Sequence, residues 1–234
     1  MPKKEKIQQM FDGIASDYDR LNHLMSLGID RTWRRRAIKN IVEKDRAQAV
    51  LDIACGTGDF SIAIAKAMGA GSHVTGVDIS AGMLAVMERK LADCGLQDRV
   101  SCEQGDSEAM RFESGSVDVA TIAFGIRNFE HRETALREIL RVLKPGGRLV
   151  ILELSMPSNA FLRWCYNIYF TRILPIIGGR ISGDRGAYRY LPASVLNFPP
   201  KAEWMATMRE CGFTGVRHKA FTLGICRSYV GVKP

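Results

Sequence analysis

The sequence predicts an α/β fold: a doubly wound, mostly parallel seven-stranded sheet preceded by N-terminal helices and interrupted by a lid insertion. Three observations predict it. From residue 48 onward, short apolar runs alternate with helical periodicity, the pattern of a parallel sheet covered on both faces. The first run, Val50-Leu51-Asp52-Ile53, gives way to Ala54-Cys55-Gly56-Thr57-Gly58-Asp59, a glycine turn that opens a helix. Asp78 then stands at the tip of the next apolar run, about twenty residues beyond Gly58.

The elements follow in order. Residues 5–27 and 30–43 read as two helices with Gly28 as the stop between them. Strands are expected at 48–54, 72–78, 99–104, 117–124 and 147–154, with helices at 59–69, 81–93 and 131–143. After Ser155 the rhythm breaks into an insertion of about forty residues, long against ordinary connections. It holds an aromatic helix, a Gly/Arg/Tyr loop at 182–190, and the stretch Leu191 to Pro200. A helix at 201–211 and strands at 214–220 and 226–232 close the chain as a hairpin. One domain is expected over 1–234, divided into a helical cap (1–45), a ligand-binding core (46–155), a lid (156–200) and the closing helix and hairpin (201–234).

Composition narrows the partners. At 234 residues and 46% hydrophobic content the chain can bury a full core. Its 33 Lys and Arg against 25 Asp and Glu give +8, which admits nucleic acid, a phospholipid surface or an acidic substrate. The excess gathers at Lys3, Lys4 and Lys6, at Arg34-Arg35-Arg36, and between Arg180 and Arg189; a solvated face is the bland alternative. Cys55, Cys94, Cys102, Cys165, Cys211 and Cys226 form no C-x-x-C pair, and the four histidines are scattered, so reduced thiols and no metal are expected. No signal peptide or spanning run is read, and a cytoplasmic location is expected. The most apolar stretch, Phe161 to Ile177, is interrupted by Arg163, Arg172 and Pro175.

The glycine turn and Asp78 together indicate a nucleoside ligand, because backbone N–H groups can approach it and the acid can accept from ribose hydroxyls. A dinucleotide would need a third glycine where Ser61 stands, and Asp59 would repel its diphosphate. A carboxylate there suits a cofactor with an ammonium and a sulfonium, which S-adenosyl-L-methionine (SAM) carries. Gly56, Thr57 and Gly58 are expected to hold its methionine part, and Asp78 its ribose. Asp106 and Ser107 after the third strand are expected at the adenine; a turn acid is the other reading of Asp106. Seven strands ending in a hairpin are the class I SAM-dependent methyltransferase form of this Rossmann-like sheet.

The loop after the fourth strand, Phe124-Gly125-Ile126-Arg127-Asn128-Phe129, should face the transferred methyl. It lacks the Asn-Pro-Pro-aromatic sequence that holds an amine in many amino-group methyltransferases. Asn197-Phe198-Pro199-Pro200 has the wrong order and lies far downstream, as an element boundary. Arg127 instead suits a phenolic acceptor, since a fixed cation favours the ionised hydroxyl; a structural ion pair is the alternative.

Arg141-Val142-Leu143-Lys144-Pro145-Gly146-Gly147-Arg148-Leu149-Val150-Ile151-Leu152-Glu153-Leu154-Ser155 resembles a signature of the quinone-biosynthesis C-methyltransferases, the demethylmenaquinone methyltransferase type. Its Lys-Pro-Gly-Gly part is common among class I methyltransferases, whereas the Glu-x-Ser ending is more specific. Phe11-Asp12 through Tyr18-Asp19 to Trp33 resembles a second signature, departing at Leu21 (usually Met) and Asp30 (usually His). Tyr188-x-Tyr190-Leu191-x-x-Ser194-x-x-x-Phe198-Pro199 is also similar.

The resemblance implies carbon methylation of a prenylated quinol, with menaquinone preferred over ubiquinone because the N-terminus is short. It also implies that Arg127 and Asn128 hold the phenolate or a water acting as base, and that Tyr18 closes over the cofactor. Tyr188, Tyr190, Asp19 and an Arg127-bound water stay open as the base. The aromatic helix of the insertion could meet an anionic membrane, the substrate tail, the sheet or a second subunit in a homodimer. No nucleic acid is expected. An RNA methyltransferase and a non-catalytic SAM-binding scaffold are the rival functions.

Overall fold

A computed structural model of the chain describes residues 3–169, 172 and 185–234. Three helices come first: α1 (Lys4–Ile14), α2 (Tyr18–Met25) and α3 (Ile29–Ile38). The single helix expected over 5–27 is therefore two. The chain turns at Ser16 and Asp17, residue types whose side chains compete with helical backbone bonds. Asp17 N–H still reaches the Ile14 carbonyl at 3.1 Å, but the next helix starts afresh, with Tyr18 at its head. Gly28 is the stop between α2 and α3, with φ 73° and its N–H donated to the His23 carbonyl at 2.8 Å. At the far end of α3, Asn40 and Ile41 N–H turn back to the Ala37 and Ile38 carbonyls at 2.9 Å, so the helix stops short of residue 43.

The sheet follows: β1 (Ala49–Ile53), α4 (Asp59–Ala67), β2 (His73–Asp78), α5 (Ala81–Cys94), β3 (Val100–Gln104), β4 (Val117–Ala123), α6 (Arg132–Val142) and β5 (Leu143–Leu154). Then come α7 (Ala160–Ile168), α8 (Arg185–Leu196), α9 (Lys201–Glu210), β6 (Thr214–Phe221) and β7 (Cys226–Val232). The strand order is β3-β2-β1-β4-β5-β7-β6, with β1 to β5 parallel and β7 antiparallel to both neighbours. The order reverses between β1 and β4, the point where such sheets open a crevice beyond their carboxyl ends.

Burial on both faces explains the near-continuous apolar strands. Val50 packs beneath Trp33, Ile64 and Met87 on one face, while Leu51 and Ile53 meet Leu136, Ile139 and Trp204 on the other. The cap is fastened separately: Ile14 at the end of α1 and Ala15 just past it pack with Met83 of α5.

Two boundaries differ from expectation. β5 starts at Leu143, which pairs with Val117; the register then shifts and resumes at Arg148 opposite Val119, with Gly146 at φ 74° in the excursion. Residues 185–190 are helical instead of loop. Ser194 and Val195 give α8 a buried face (5% and 2% exposed), and that packing overrides the weak helix preference of Gly186 and Pro192. Phe170, Ile173, Leu174 and the start of the expected loop lie outside the described residues.

Candidate active site

Beyond the carboxyl ends of β1 to β4 lies an open crevice of about 770 Å³. Its wall is assembled from Gly56, Asp78, Asp106, Ser107, Phe124 and Asn128, and α1 covers it with Lys4, Ile7 and Phe11. Asp78 is fixed at the end of β2: Gly56 N–H donates to Oδ2 at 2.8 Å and Ser80 N–H to Oδ1 at 2.9 Å. Burial pushes its carboxyl above the ordinary value, and the N–H groups of Ser80, Gly56 and Ile79 pull the other way. Asp106 is both a turn acid and a wall residue. It accepts from Glu108 N–H at 3.0 Å and from Lys4 Nζ at 2.5 Å. Burial raises its carboxyl, but Lys4 and the turn hold it below the usual range.

The glycine motif works from two sides. Gly56, at φ 57°, faces the crevice. Thr57 is buried and donates its hydroxyl to Asp19 Oδ1 at 2.5 Å. Gly58, at φ 81°, stands where a Cβ would lie 2.5 Å from Met87 Cγ, so only glycine lets α4 start against α5. The expectation that Asp59 offers its charge to the ligand needs correction. Asp59 pairs with Lys90, with Arg34 at 3.2 Å and with His23 at 3.3 Å, so its charge is spent on the cap helices and α5. Burial would raise its carboxyl, yet Lys90 and Arg34 bring it below the ordinary value.

Ala54 and Phe124, the residues just past β1 and β4, both hold left-handed backbone, at φ 53° and 60°. Each such non-glycine residue costs on the order of 1 kcal/mol, and strain of this kind clusters where function fixes the backbone. Between them, a Cβ on Gly125 would lie 2.7 Å from Ala54 Cβ, so the two loops touch only because Gly125 has no side chain.

Arg127 and Asn128 sit on a single turn of 3-10 helix (Ile126–Asn128) yet face different spaces. Asn128 lines the crevice and accepts from the Tyr190 hydroxyl at 3.0 Å. Arg127 is 5% exposed and lines a second cavity. Its Nη1 lies 2.8 Å from Glu153 Oε1 and also donates to the Phe124 carbonyl, while Nε donates to Ser194 Oγ at 3.2 Å. Arg127 is thus half of a buried ion pair, as the structural alternative expects, and it also faces a cavity.

That second cavity, about 1270 Å³, is bounded by α2, α3, α7, α8 and the turn at 222–225. It is largely aromatic and aliphatic: Trp33, Leu154, Leu162, Tyr166, Tyr169 and Leu191 are among its walls. Tyr18 and Phe124 line both spaces and form the partition between them. Burial pushes the Tyr18, Tyr166 and Tyr190 phenols above their ordinary value, against the pull of the nearby Arg127 charge. All three therefore keep their protons near neutrality. Asp19, bound to Thr57 and to Lys90 at 2.9 Å, lines neither space. The side chain of Tyr188 lies outside the described residues.

Three working residues escaped the sequence reading as site residues. Glu153 had a signal: a lone acid in Val150-Ile151-Leu152-Glu153-Leu154 must be buried and needs a cation. Lys4 had none, because it joins Asp106 across 102 positions. Asp12 accepts from Ser80 Oγ at 2.5 Å and Gly82 N–H at 3.0 Å, capping α5 from another helix, which only the fold reveals.

The crevice offers groups that a nucleoside cofactor such as SAM would use: an acid at the β2 tip, a close backbone approach at Gly56, and a second acid past β3. Comparison with known proteins agrees. Solved structures of similar shape include the [4+2]-cyclase SpnF (TM-score 0.72, 16% identity, covering 100% of this chain and 97% of that one). A SAM-dependent methyltransferase from Thermotoga maritima is also similar (TM-score 0.68, 19% identity, 97% and 99% covered). These similarities support the fold alone. In sequence, the chain is 46% identical over 231 residues to a ubiquinone/menaquinone biosynthesis C-methyltransferase from Geobacter sulfurreducens, covering 99% of this chain and 90% of the relative. It is 45% identical over 225 residues to a demethylmenaquinone methyltransferase from Thermus thermophilus, covering 96% and 100%. The model of the ubiE/COQ5 methyltransferase family matches residues 1–233, and the chain belongs to that family.

Proposed function

We propose that this chain transfers the methyl group of SAM to a ring carbon of a polyprenylated quinol, converting demethylmenaquinol to menaquinol. The observation that carries this reading is the shared wall: Tyr18 and Phe124 separate a cofactor-shaped crevice from a larger apolar cavity. A quinol ring at that wall would have its tail in the aromatic cavity and its reacting edge toward the donor. The names of the relatives, demethylmenaquinone methyltransferase among them, support the same chemistry. The benzoquinol of the ubiquinone pathway is the second reading, since other relatives carry both pathways in their names.

SAM supplies an electrophilic methyl on a sulfonium; the chain's own residues position the acceptor and move its protons. Asp78 would hold the ribose and Gly56 the methionine part, with Asp106 and Ser107 at the adenine. The hydroxyl proton leaves as the ring carbon attacks; loss of the proton on the methylated carbon and return of one to the ring oxygen then restore the quinol, so one proton is released for each methyl transferred. Arg127 faces the cavity and favours the ionised hydroxyl, although Glu153 balances part of its charge. Asn128, held by the Tyr190 hydroxyl, orients the phenolate or a water that accepts the proton. Tyr190 and Tyr18 keep their own protons and serve as hydrogen-bond donors and walls. In the same reading residues 1–45 cap the cofactor and 156–200 form the lid over the substrate.

Peripheral contact with an anionic membrane belongs to the proposal. α7 turns Leu162 and Tyr166 to the cavity, joined there by Tyr169 just past its end, and leaves Phe161 and Trp164 outside, stacked at 6.2 Å. A second copy of the chain covering this face is the alternative. No helix among the described residues is long and apolar enough to cross a membrane. The test is competition: reduced demethylmenaquinol, the ring-unmethylated benzoquinol and total RNA offered together with labelled SAM. Preferential labelling of the naphthoquinol supports the reading; label in the benzoquinol moves the pathway, and label in RNA overturns the function.

A further inference from the structure

The mouth of the apolar cavity is edged by two leucines in backbone that leucine disfavours. Leu27 has φ 51° and is 78% exposed; Leu223 has φ 56° and is 72% exposed, following Thr222 at φ 44°. Both line the cavity. Left-handed backbone suits Gly or Asn, and a solvated loop tip gains nothing from an apolar side chain there. Such strain persists where surrounding structure enforces it, commonly for function.

The surroundings do enforce it. Trp33 Nε1 donates to Thr222 Oγ1 at 2.7 Å, tying α3 to the turn that carries Leu223. The Arg36 guanidinium lies 5.8 Å from the Phe221 ring, one step further back. Gly28 anchors the other tip through its bond to the His23 carbonyl. The two leucines are thus a fixed pair, with Ile29 (39% exposed) beside Leu27. α3, which begins two residues after Leu27, exposes Arg31, Arg35 and Arg36, and Lys39 at its end is also exposed.

We infer that Leu27 and Leu223 are insertion tips that dip into the surface of an anionic phospholipid bilayer and set the cavity mouth against the hydrocarbon. Apolar tips ahead of a cationic collar match the layering of a membrane surface, with acyl chains inside and phosphates outside. The net charge of +8 favours the same partner. A quinol tail could then pass from lipid to cavity without crossing water. In that last step alone, the inference rests on the substrate reading above.

The test uses the full chain and vesicles without quinol, so it does not depend on the substrate. Wild type should co-sediment with phosphatidylglycerol-containing vesicles more than with pure phosphatidylcholine. Leu27→Asn with Leu223→Asn should weaken that partitioning by about tenfold or more. The same variant should melt about 2–4 °C higher, because asparagine tolerates the left-handed backbone. If the asparagine pair does not fold, Leu27→Gly with Leu223→Gly gives the same comparison. Equal vesicle binding by variant and wild type overturns the inference. So does a wild type that ignores anionic vesicles, or a dimer in sedimentation velocity that the variant dissolves. Tip-dependent vesicle binding by an enzyme that fails to methylate any quinol would leave this inference standing and remove the substrate reading.

Discussion

Arg127 Nη1 stands 2.8 Å from Glu153 Oε1, and Glu153 is fully buried, its other oxygen accepting from Arg127 N–H at 3.2 Å. The pair locks the loop after β4 onto β5. It also means that the cavity faces a cation whose charge is already matched from behind. Removing one member of such a pair leaves an uncompensated buried charge, a loss of about 3–5 kcal/mol. Glu153→Gln should therefore destabilise the fold strongly. Arg127→Met combined with Glu153→Gln should recover much of that loss and still lack turnover. Denaturant unfolding of both singles and the double measures this. Simple additivity of the two losses would show that the pair is not the coupling unit.

Tyr18 packs edge-on against Phe11, ring centres 5.9 Å apart, and carries its hydroxyl into the partition between the two spaces. Tyr18→Phe keeps that packing and removes one donor. Turnover should fall about tenfold, the value of one hydrogen bond, with little change in donor affinity. A large rise in the donor dissociation constant would make Tyr18 a cofactor residue instead.

Asp78 orders the glycine turn through Gly56 N–H and lines the crevice, where its proposed role is to hold the ribose. Asp78→Ala should weaken SAM binding by about ten- to a hundredfold, as expected for lost bonds to a charged acceptor. Titration calorimetry reads this directly; unchanged affinity would remove the ribose assignment.

Asp52, a buried residue of β1, accepts from Ser61 Oγ at 2.5 Å and Thr121 Oγ1 at 2.7 Å, and burial pushes its pKa up to about 6. A carboxyl with a folded pKa above its unfolded one binds its proton more tightly when folded, so ionisation costs stability as pH rises from about 4 to about 6. Relative to Asp52→Asn, the wild type should lose on the order of 2–3 kcal/mol between pH 4 and pH 7. A constant or rising difference would contradict the buried, raised carboxyl.

The sheet was legible because buried parallel strands and glycine turns leave local marks: Val50 to Ile53, Gly56 and Asp78 each announce their role nearby in the chain. The turn that carries Arg127 and Asn128 was legible only as the loop after the fourth strand. What escaped depends on contacts distant in sequence. Lys4 reaches Asp106, Asp12 caps α5, and Asp59 turns to Lys90 and Arg34 instead of the crevice. The start of helix α8 was misread as loop: Gly186 and Pro192 have weak helix preference, while the burial of Ser194 and Val195 decides the outcome. The division of Arg127 and Asn128 between two spaces also needed the fold, since adjacent residues on one tight turn point apart only in three dimensions.

The most direct measurement is the position of the transferred group: the chain is given SAM with a carbon-13 methyl and reduced demethylmenaquinol, and the product is read by carbon NMR. Carbon methylation gives a new aryl methyl carbon on the ring, and that is the expected result. A methoxy signal, or label confined to a nitrogen acceptor, would contradict carbon methylation and with it the roles given to Arg127 and Asn128.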